Sequence, residues 1–257
     1  MKFQEIDGIK IAFRVNEDGL VDGRKTLFFI HGSTGDHNSW KDQYAALDEQ
    51  FNVIAVDLPG HGQSGGKGER EVSLYSKWVK KTVEALGLRR PVLIGHSLGA
   101  AIALESAIQY GDRLSGVVAV GGGATMPVNP LVLDGLRGDP SMIINSIPAF
   151  AVSKRHRERL KDFLVANLER MDKEVAYGNF LACDRFDISG RLGQIRIPAL
   201  LICGEEDKMM PPKFSRYMEE HIAGAKMVLI KDAGHFVMME DPNTCNVALR
   251  EFVDSLE

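Results

Sequence analysis

A serine between two glycines, with an aspartate and a histidine further along the chain, supplies the residue types of a nucleophilic hydrolytic site. The serine is Ser97, in the run Gly95-His96-Ser97-Leu98-Gly99. This is G-x-S-x-G, a pattern that needs a buried strand before it and a helix after it. Both are expected here: Pro91–Ile94 is apolar, and Leu98–Tyr110 is an alanine-rich helical stretch ending before a glycine. A sharp strand-to-helix turn leaves no room for bulk two residues either side of the serine, and Gly95 and Gly99 have none. Ala100 and Ala101 let the helix pack close behind. A glycine-flanked serine in an ordinary turn is the bland alternative, and the flanking elements favour the nucleophile.

A serine hydroxyl is a weak nucleophile at neutral pH and needs a base that is itself oriented by an acid. After a turn of this kind the chain order is Ser, acid, His. Asp207 follows PALLICGEE and His235 follows KMVLIKDAG, each just beyond a strand-like run and in that order. Glu205 and Glu206 are near rivals for the acid, with Asp207 preferred. An oxyanion hole completes such a site. One donor is the N–H of Leu98, directly after the nucleophile, and the other comes from FFIHGSTGDHNSW. There Gly32 permits a sharp turn that aims the Ser33 N–H at the developing charge. Each such donor is worth about 10²–10³ in rate. Ser33 Oγ or Thr34 could add a side-chain hydrogen bond, and His31 reads as a residue that orders the loop.

These residues need elements to position them. Short β-branched runs recur at Lys10–Val15, Thr26–Ile30, Asn52–Val56, Pro91–Ile94, Gly116–Val120, Pro198–Cys203 and Lys226–Ile230. Several are apolar at consecutive positions, which marks strands covered on both faces, as in a parallel sheet. Between them Leu74–Leu86, Leu98–Tyr110 and Thr244–Leu256 read as helices, so the chain is expected to be an α/β protein. Between Ala124 and Arg191 no strand is legible. Four prolines (Pro127, Pro130, Pro140, Pro148) precede a charged helical segment over Ser153–Tyr177. Residues 124–191 are therefore expected to form a helical cap or lid, inserted between core segments 1–123 and 192–257, above the strand ends where α/β sheets bind ligands.

Composition narrows the classes. The 257 residues are 44% hydrophobic and carry a net charge of −4, which gives no basic field for nucleic acid or an anionic membrane. No apolar stretch approaches 18 residues, so no membrane span is expected. The start MKFQEIDGIKIAF lacks a signal-peptide core, and three cysteines in no ligand-like spacing fit reduced thiols, so a cytoplasmic location is expected. Seven scattered histidines form no metal constellation, and neither metal nor cofactor is expected. Gly60-His61-Gly62-Gln63-Ser64-Gly65 matches G-x-G-x-x-G. Pro59 precedes it, however, and no helix opens from it, so nucleotide binding is rejected. KRHRERLK (154–161) reads as a solvated helix face, with attraction of a carboxylate-bearing substrate as the alternative. Met126, Met142 and Ile143 are core filler or the lining of an apolar acyl pocket, to which Thr34 and His96 could also contribute.

Taken together, HGSTG (31–35), DLPGHGQS (57–64), GHSLG (95–99), GEED (204–207) and AGHFVMMEDP (233–242) resemble the α/β-hydrolase fold superfamily. The resemblance implies an eight-stranded, mostly parallel sheet flanked by helices, with a helical cap after strand 6. It implies Ser97 as nucleophile, His235 as general base, Asp207 as the acid and Ser33 as an oxyanion-hole residue. It also excludes relatives: dehalogenases and epoxide hydrolases place aspartate where Ser97 stands, and dienelactone hydrolases place cysteine. The expected function is a serine hydrolase, a carboxylesterase acting on small or medium acyl esters. Carbon–carbon bond hydrolysis and cofactor-free perhydrolysis or haloperoxidation are alternatives within the fold. A low-turnover ligand sensor is the alternative from another class.

Overall fold

The structure, a computed structural model, describes residues 1–256, with the side chains of Met142 and Asn145 outside the described set. β1 (Lys2–Ile6) and β2 (Ile9–Val15) form an antiparallel hairpin. Asp7 and Gly8 both have positive φ at its turn, the conformation that matches strand twist in a two-residue loop. The remaining strands are β3 (Thr26–Ile30), β4 (Asn52–Val56), β5 (Val92–His96), β6 (Gly116–Val120), β7 (Ala199–Gly204) and β8 (Lys226–Ile230). They assemble in the order β1-β2-β4-β3-β5-β6-β7-β8, and every pair from β4 onward along the sheet is parallel. β2 runs antiparallel to β4.

The consecutive apolar runs have the expected cause. In β3, Phe28 and Ile30 enter the core on one face while Leu27 and Phe29 enter a separate core on the other, following the two-residue period of a strand. The first core is closed by α2 (Val72–Ala85) and α3 (Leu98–Tyr110), the second by α1 (Lys41–Leu47), α9 (Val237–Glu240) and α10 (Pro242–Asp254). α2 stops as its sequence requires: Gly87 takes φ 64° and Leu88 N–H reaches back to Val83 O at 3.0 Å. α3 ends at Tyr110, before Gly111, as its sequence suggests; Gly111 itself keeps right-handed angles (φ −55°) and passes into a further 3₁₀ turn.

Between β6 and β7 lie α4 (Pro130–Arg137), α5 (Ser141–Ala151), α6 (Arg157–Arg170) and α7 (Lys173–Asp184). The expected single helix over Ser153–Tyr177 is two, because Asp172 leaves the helical path and caps α7 by accepting from Glu174 N–H and Val175 N–H. Leu136, Ala176, Tyr177 and Phe180 give these helices an apolar cluster of their own. α8 (Pro212–His221) covers the β7–β8 end of the sheet. The G-x-G-x-x-G match is a turn: Gly60 N–H donates to Gly65 O at 2.9 Å, and Gly62 packs so closely on Asp57 that a Cβ would lie 2.3 Å from its carboxylate.

Candidate active site

Ser97 sits between β5 and α3 at φ 53°, ψ −116°. A non-glycine residue in such a region costs about 1–3 kcal/mol and persists only where its surroundings over-determine it. Here they do. A Cβ on Gly95 would stand 1.9 Å from Gly99 O, and one on Gly99 would stand 2.2 Å from Ile30 O. Ser97 N–H donates to Val120 O at 2.9 Å, while Ala100 N–H and Ala101 N–H share Ser97 O. Ser97 stays half-buried among buried neighbours, and its Oγ has no hydrogen-bond partner among the described residues.

Beyond β7, Asp207 is 3% exposed while Glu205 and Glu206 face solvent, so only one of the three acids turns inward. Its Oδ1 accepts from Met209 N–H (2.9 Å) and Met210 N–H (2.8 Å), and its Oδ2 faces His235 Nδ1 at 2.9 Å. That partner makes Nδ1 the protonated nitrogen and leaves Nε2 as an acceptor. His235 is held at its backbone by His235 N–H to Ala151 O (2.7 Å) and by His96 Nε2 donating to His235 O (2.9 Å). Gly121, at φ 57°, leaves the ring its space; a Cβ there would come 3.2 Å from Nδ1. Burial, and then the neighbouring His235, push the pKa of His96 well below its ordinary value, so it remains a neutral donor.

The loop after β3 brings a third group to the same place. A Cβ on Gly32 would lie 2.8 Å from His96 Nδ1 and 3.2 Å from Ser97 Cβ, so this loop crosses directly over the turn. Leu58 N–H donates to His31 Nε2 at 3.0 Å, which puts the proton on Nδ1, and Nδ1 donates to Gly32 O at 2.8 Å. Gly35 N–H donates to the same carbonyl at 3.1 Å. A trans peptide points its N–H opposite to its C=O, so pinning Gly32 O fixes the direction of Ser33 N–H. Among the described residues neither Ser33 N–H nor Leu98 N–H, the latter at the first residue of α3, has a backbone acceptor. Burial lowers the pKa of His31, which keeps its ring neutral.

A small cavity of about 20 Å³ adjoins this point. Ser33, Thr34 and His96 line it from the core side, and Ile147, Leu164 and Asn167 from α5 and α6. Met126 does not line it and packs in the main core, and Ile143 packs against Gly135. The Met142 side chain lies outside the described residues. Among the described residues no three His, Cys, Asp or Glu side chains converge to hold a metal ion. The three cysteines are buried, with burial pushing each thiol up to about 12.

Sequence reasoning passed over two buried carboxylates. Glu240 is 3% exposed; its Oε2 accepts from Gly234 N–H and Ser153 N–H, both at 2.9 Å, tying the histidine loop to the end of α5. Asp57 accepts from His37 N–H (2.7 Å) and faces His37 Nδ1 at 2.8 Å, fixing the far end of the loop after β3 to the residue that follows β4. Burial alone would lower the His37 pKa, but the Asp57 carboxylate raises it overall. Both acids lie within quoted motifs, AGHFVMMEDP and DLPGHGQS, where spacing shows their presence but not their partners. The basic run 154–161 is also more than a solvated face. Arg159 donates to Met239 O and Glu240 O, Arg157 to Ala149 O, and Arg155 pairs with Asp232 at 3.2 Å.

The sheet order, the left-handed serine and the Asp207–His235 pair define an α/β hydrolase. The profile of the alpha/beta hydrolase family matches residues 27–246, and the chain belongs to that family of hydrolases. Among curated proteins it is 28% identical to a 2-hydroxy-6-oxononadienedioate/2-hydroxy-6-oxononatrienedioate hydrolase of Paraburkholderia phymatum, over 96% of this chain and 92% of that one. Among solved structures it is 29% identical to a thermophilic esterase (TM-score 0.83, covering 100% of this chain and 98% of that one). The enol-lactonase of Burkholderia xenovorans shares its fold at 22% identity (TM-score 0.90, covering 99% and 100%). No helix among the described residues is long and apolar enough to cross a membrane.

Proposed function

We propose that this hydrolase cleaves carboxylic esters through an acyl-enzyme, with Ser97 as nucleophile, His235 as general base and Asp207 as the acid that orients it. The observation that carries the reading is the Asp207 Oδ2 to His235 Nδ1 contact of 2.9 Å. It commits Nδ1 and frees Nε2 to take the Ser97 proton. Ser97 Oγ attacks the carbonyl carbon, Nε2 removes its proton, and Asp207 stabilises the imidazolium. Leu98 N–H and Ser33 N–H bind the tetrahedral oxyanion. His235 then protonates the departing alcohol and activates the water that releases the acid. The serine–histidine hydrogen bond closes with substrate, as catalytic contacts commonly do. The helices of residues 124–191 act as the cap over this site, and their backbone contact with His235 at Ala151 supports that role.

The test is hydrolysis of p-nitrophenyl esters from acetate to decanoate by the wild type and Ser97→Ala. Turnover that peaks at short chains and falls by about 10⁶ in the variant is expected. Activity retained in Ser97→Ala overturns the assignment. The similarity to a hydrolase named for 2-hydroxy-6-oxononadienedioate favours carbon–carbon bond cleavage as the second reading. In that reading the same three side chains act on a ketone instead of an ester.

A further inference from the structure

We propose that Asn167 is a specificity-determining residue whose side-chain N–H₂ donates to a second oxygen of the substrate, so that the enzyme selects oxygen-bearing esters or lactones over plain alkyl esters. The inference rests on the ester-hydrolase reading and names the substrate class it would take.

Asn167, on α6, is 7% exposed and lines the cavity that Ser33 and His96 bound from below. Arg170, one turn further along, donates to Asn167 Oδ1. A guanidinium carries donors only, so the amide atom facing it is the oxygen. The orientation of the Asn167 amide is thereby fixed by chemistry, and its two N–H bonds have no acceptor among the described residues. The rest of the cap-side wall is apolar, built by Ile147, Leu164 and Leu168, with Phe236 from the histidine loop. The Asn167 amide nitrogen is not fully buried, so a ligand can reach it, and a few placed polar groups in an apolar pocket are how such sites set orientation. Across the cavity Ser39 Oγ, also without a partner among the described residues, offers a second polar contact on the loop side.

Proximity to the chemistry follows from Gly32, which lines the same cavity and whose Cβ position would fall 3.2 Å from Ser97 Cβ. Ser33 and His96, the neighbours of Gly32 and Ser97, also line the cavity, so it lies beside the turn, and in this proposal one substituent of a carbonyl held at Ser33 N–H enters it. The space is about 20 Å³, so a short substituent suits it better than a long one. An ether, keto or hydroxyl oxygen within a few bonds of the carbonyl accepts from Asn167, whereas a methylene in its place leaves the donor unmet.

Two isosteric pairs test this: p-nitrophenyl methoxyacetate against p-nitrophenyl butanoate, and 2-methoxyethyl acetate against butyl acetate. Each is run on the wild type, Asn167→Leu and Asn167→Asp. Because methoxyacetate is intrinsically more reactive, the quantity read is the change in the kcat/KM ratio within a pair between enzymes. One lost hydrogen bond corresponds to a drop of about fivefold. That drop is expected in one pair for both variants, carried by KM. Asn167→Asp keeps an acceptor for Arg170, so a folding defect in Asn167→Leu does not blur the result. Ratios unchanged in both pairs overturn the inference while leaving ester hydrolysis standing. Failure of the wild type to turn over any of the four esters overturns the ester reading and this inference with it.

Discussion

His96 Nε2 donates to the main-chain carbonyl of His235 at 2.9 Å, so the residue preceding Ser97 holds the backbone of His235. The two rings lie 4.8 Å apart, and Phe236 packs on His96 at 4.9 Å. The elbow and the histidine loop come from β5 and the segment after β8, which are not neighbours in the sheet. This bond joins them directly. His96→Phe keeps the ring packing but leaves His235 O buried without its donor, which costs about 1–3 kcal/mol. We expect a lower melting temperature together with a fall in kcat and little change in KM. Loss of stability with kcat intact would show that the bond does not position the base.

The glycines around Ser97 are expected to differ in kind. Gly95→Ala places a Cβ 1.9 Å from Gly99 O, a backbone atom with nowhere to go, and the protein should not accumulate folded. Gly32→Ala meets first a side-chain atom, His96 Nδ1, at 2.8 Å. Small-to-large changes that neighbours can partly absorb cost about 1–3 kcal/mol. Gly32→Ala should therefore fold and lose about 10²-fold or more in kcat, because it displaces the loop that carries Ser33 N–H. Circular dichroism and ester kinetics on the two variants check the contrast.

Glu240 ties the loop of His235 to the end of α5. Glu240→Ala strands Ser153 N–H and Gly234 N–H, each costing about 1–3 kcal/mol when left unpaired. Glu240→Gln retains an acceptor oxygen and should recover most of that loss. Denaturant unfolding measures both. Equal destabilisation by the two substitutions would mean that the negative charge, not the acceptor, is what Ser153 and Gly234 require.

Acid lability follows from three buried imidazoles. His31, His61 and His96 are each pushed below the usual pKa of 6.5, first by burial, and His61 falls to about 3. Unfolding releases them to titrate normally, so below pH 6.5 the unfolded chain binds more protons than the folded one. Their contribution is complete above pH 6.5 and is lost as pH falls toward the folded values, at roughly 1.4 kcal/mol per pH unit for each ring. His61 accepts from Asn179 Nδ2 at 2.7 Å, and Tyr75 OH donates to Asn179 Oδ1, so this ring also anchors α7 to the core. His61→Gln should lower overall stability yet reduce proton uptake on unfolding at pH 5 by about one. Potentiometric or calorimetric proton counts that do not change would contradict the neutral buried ring.

Much of this arrangement is legible in the sequence, because a parallel sheet writes its strands as unbroken apolar runs. Thr26–Ile30, Asn52–Val56, Gly116–Val120 and Lys226–Ile230 are strands with the bounds their composition suggests. β1 carries no such mark. KFQEI is an edge strand, mostly exposed, and its pairing with β2 supplies what its side chains do not. The helices after β6 are poorly legible for a related reason: Pro148 lies inside α5, where composition argues against a helix, and tertiary packing overrides it. Within the site, Ser97, Asp207 and His235 stand out by type and order. Glu240, Asp57 and Asn167 do not, since a buried carboxylate or amide is identified by its partners, and those lie 6 to 87 residues away for Glu240.

The central claim is that Ser97 carries the acyl group. Mass spectrometry of enzyme quenched during turnover of p-nitrophenyl acetate tests it most directly. We expect one acetyl group per chain, located to the peptide bearing Ser97, absent in Ser97→Ala and longer-lived in His235→Ala, where the base for deacylation is gone. An acetyl group on another residue, or steady turnover with no adduct at Ser97, would contradict the account.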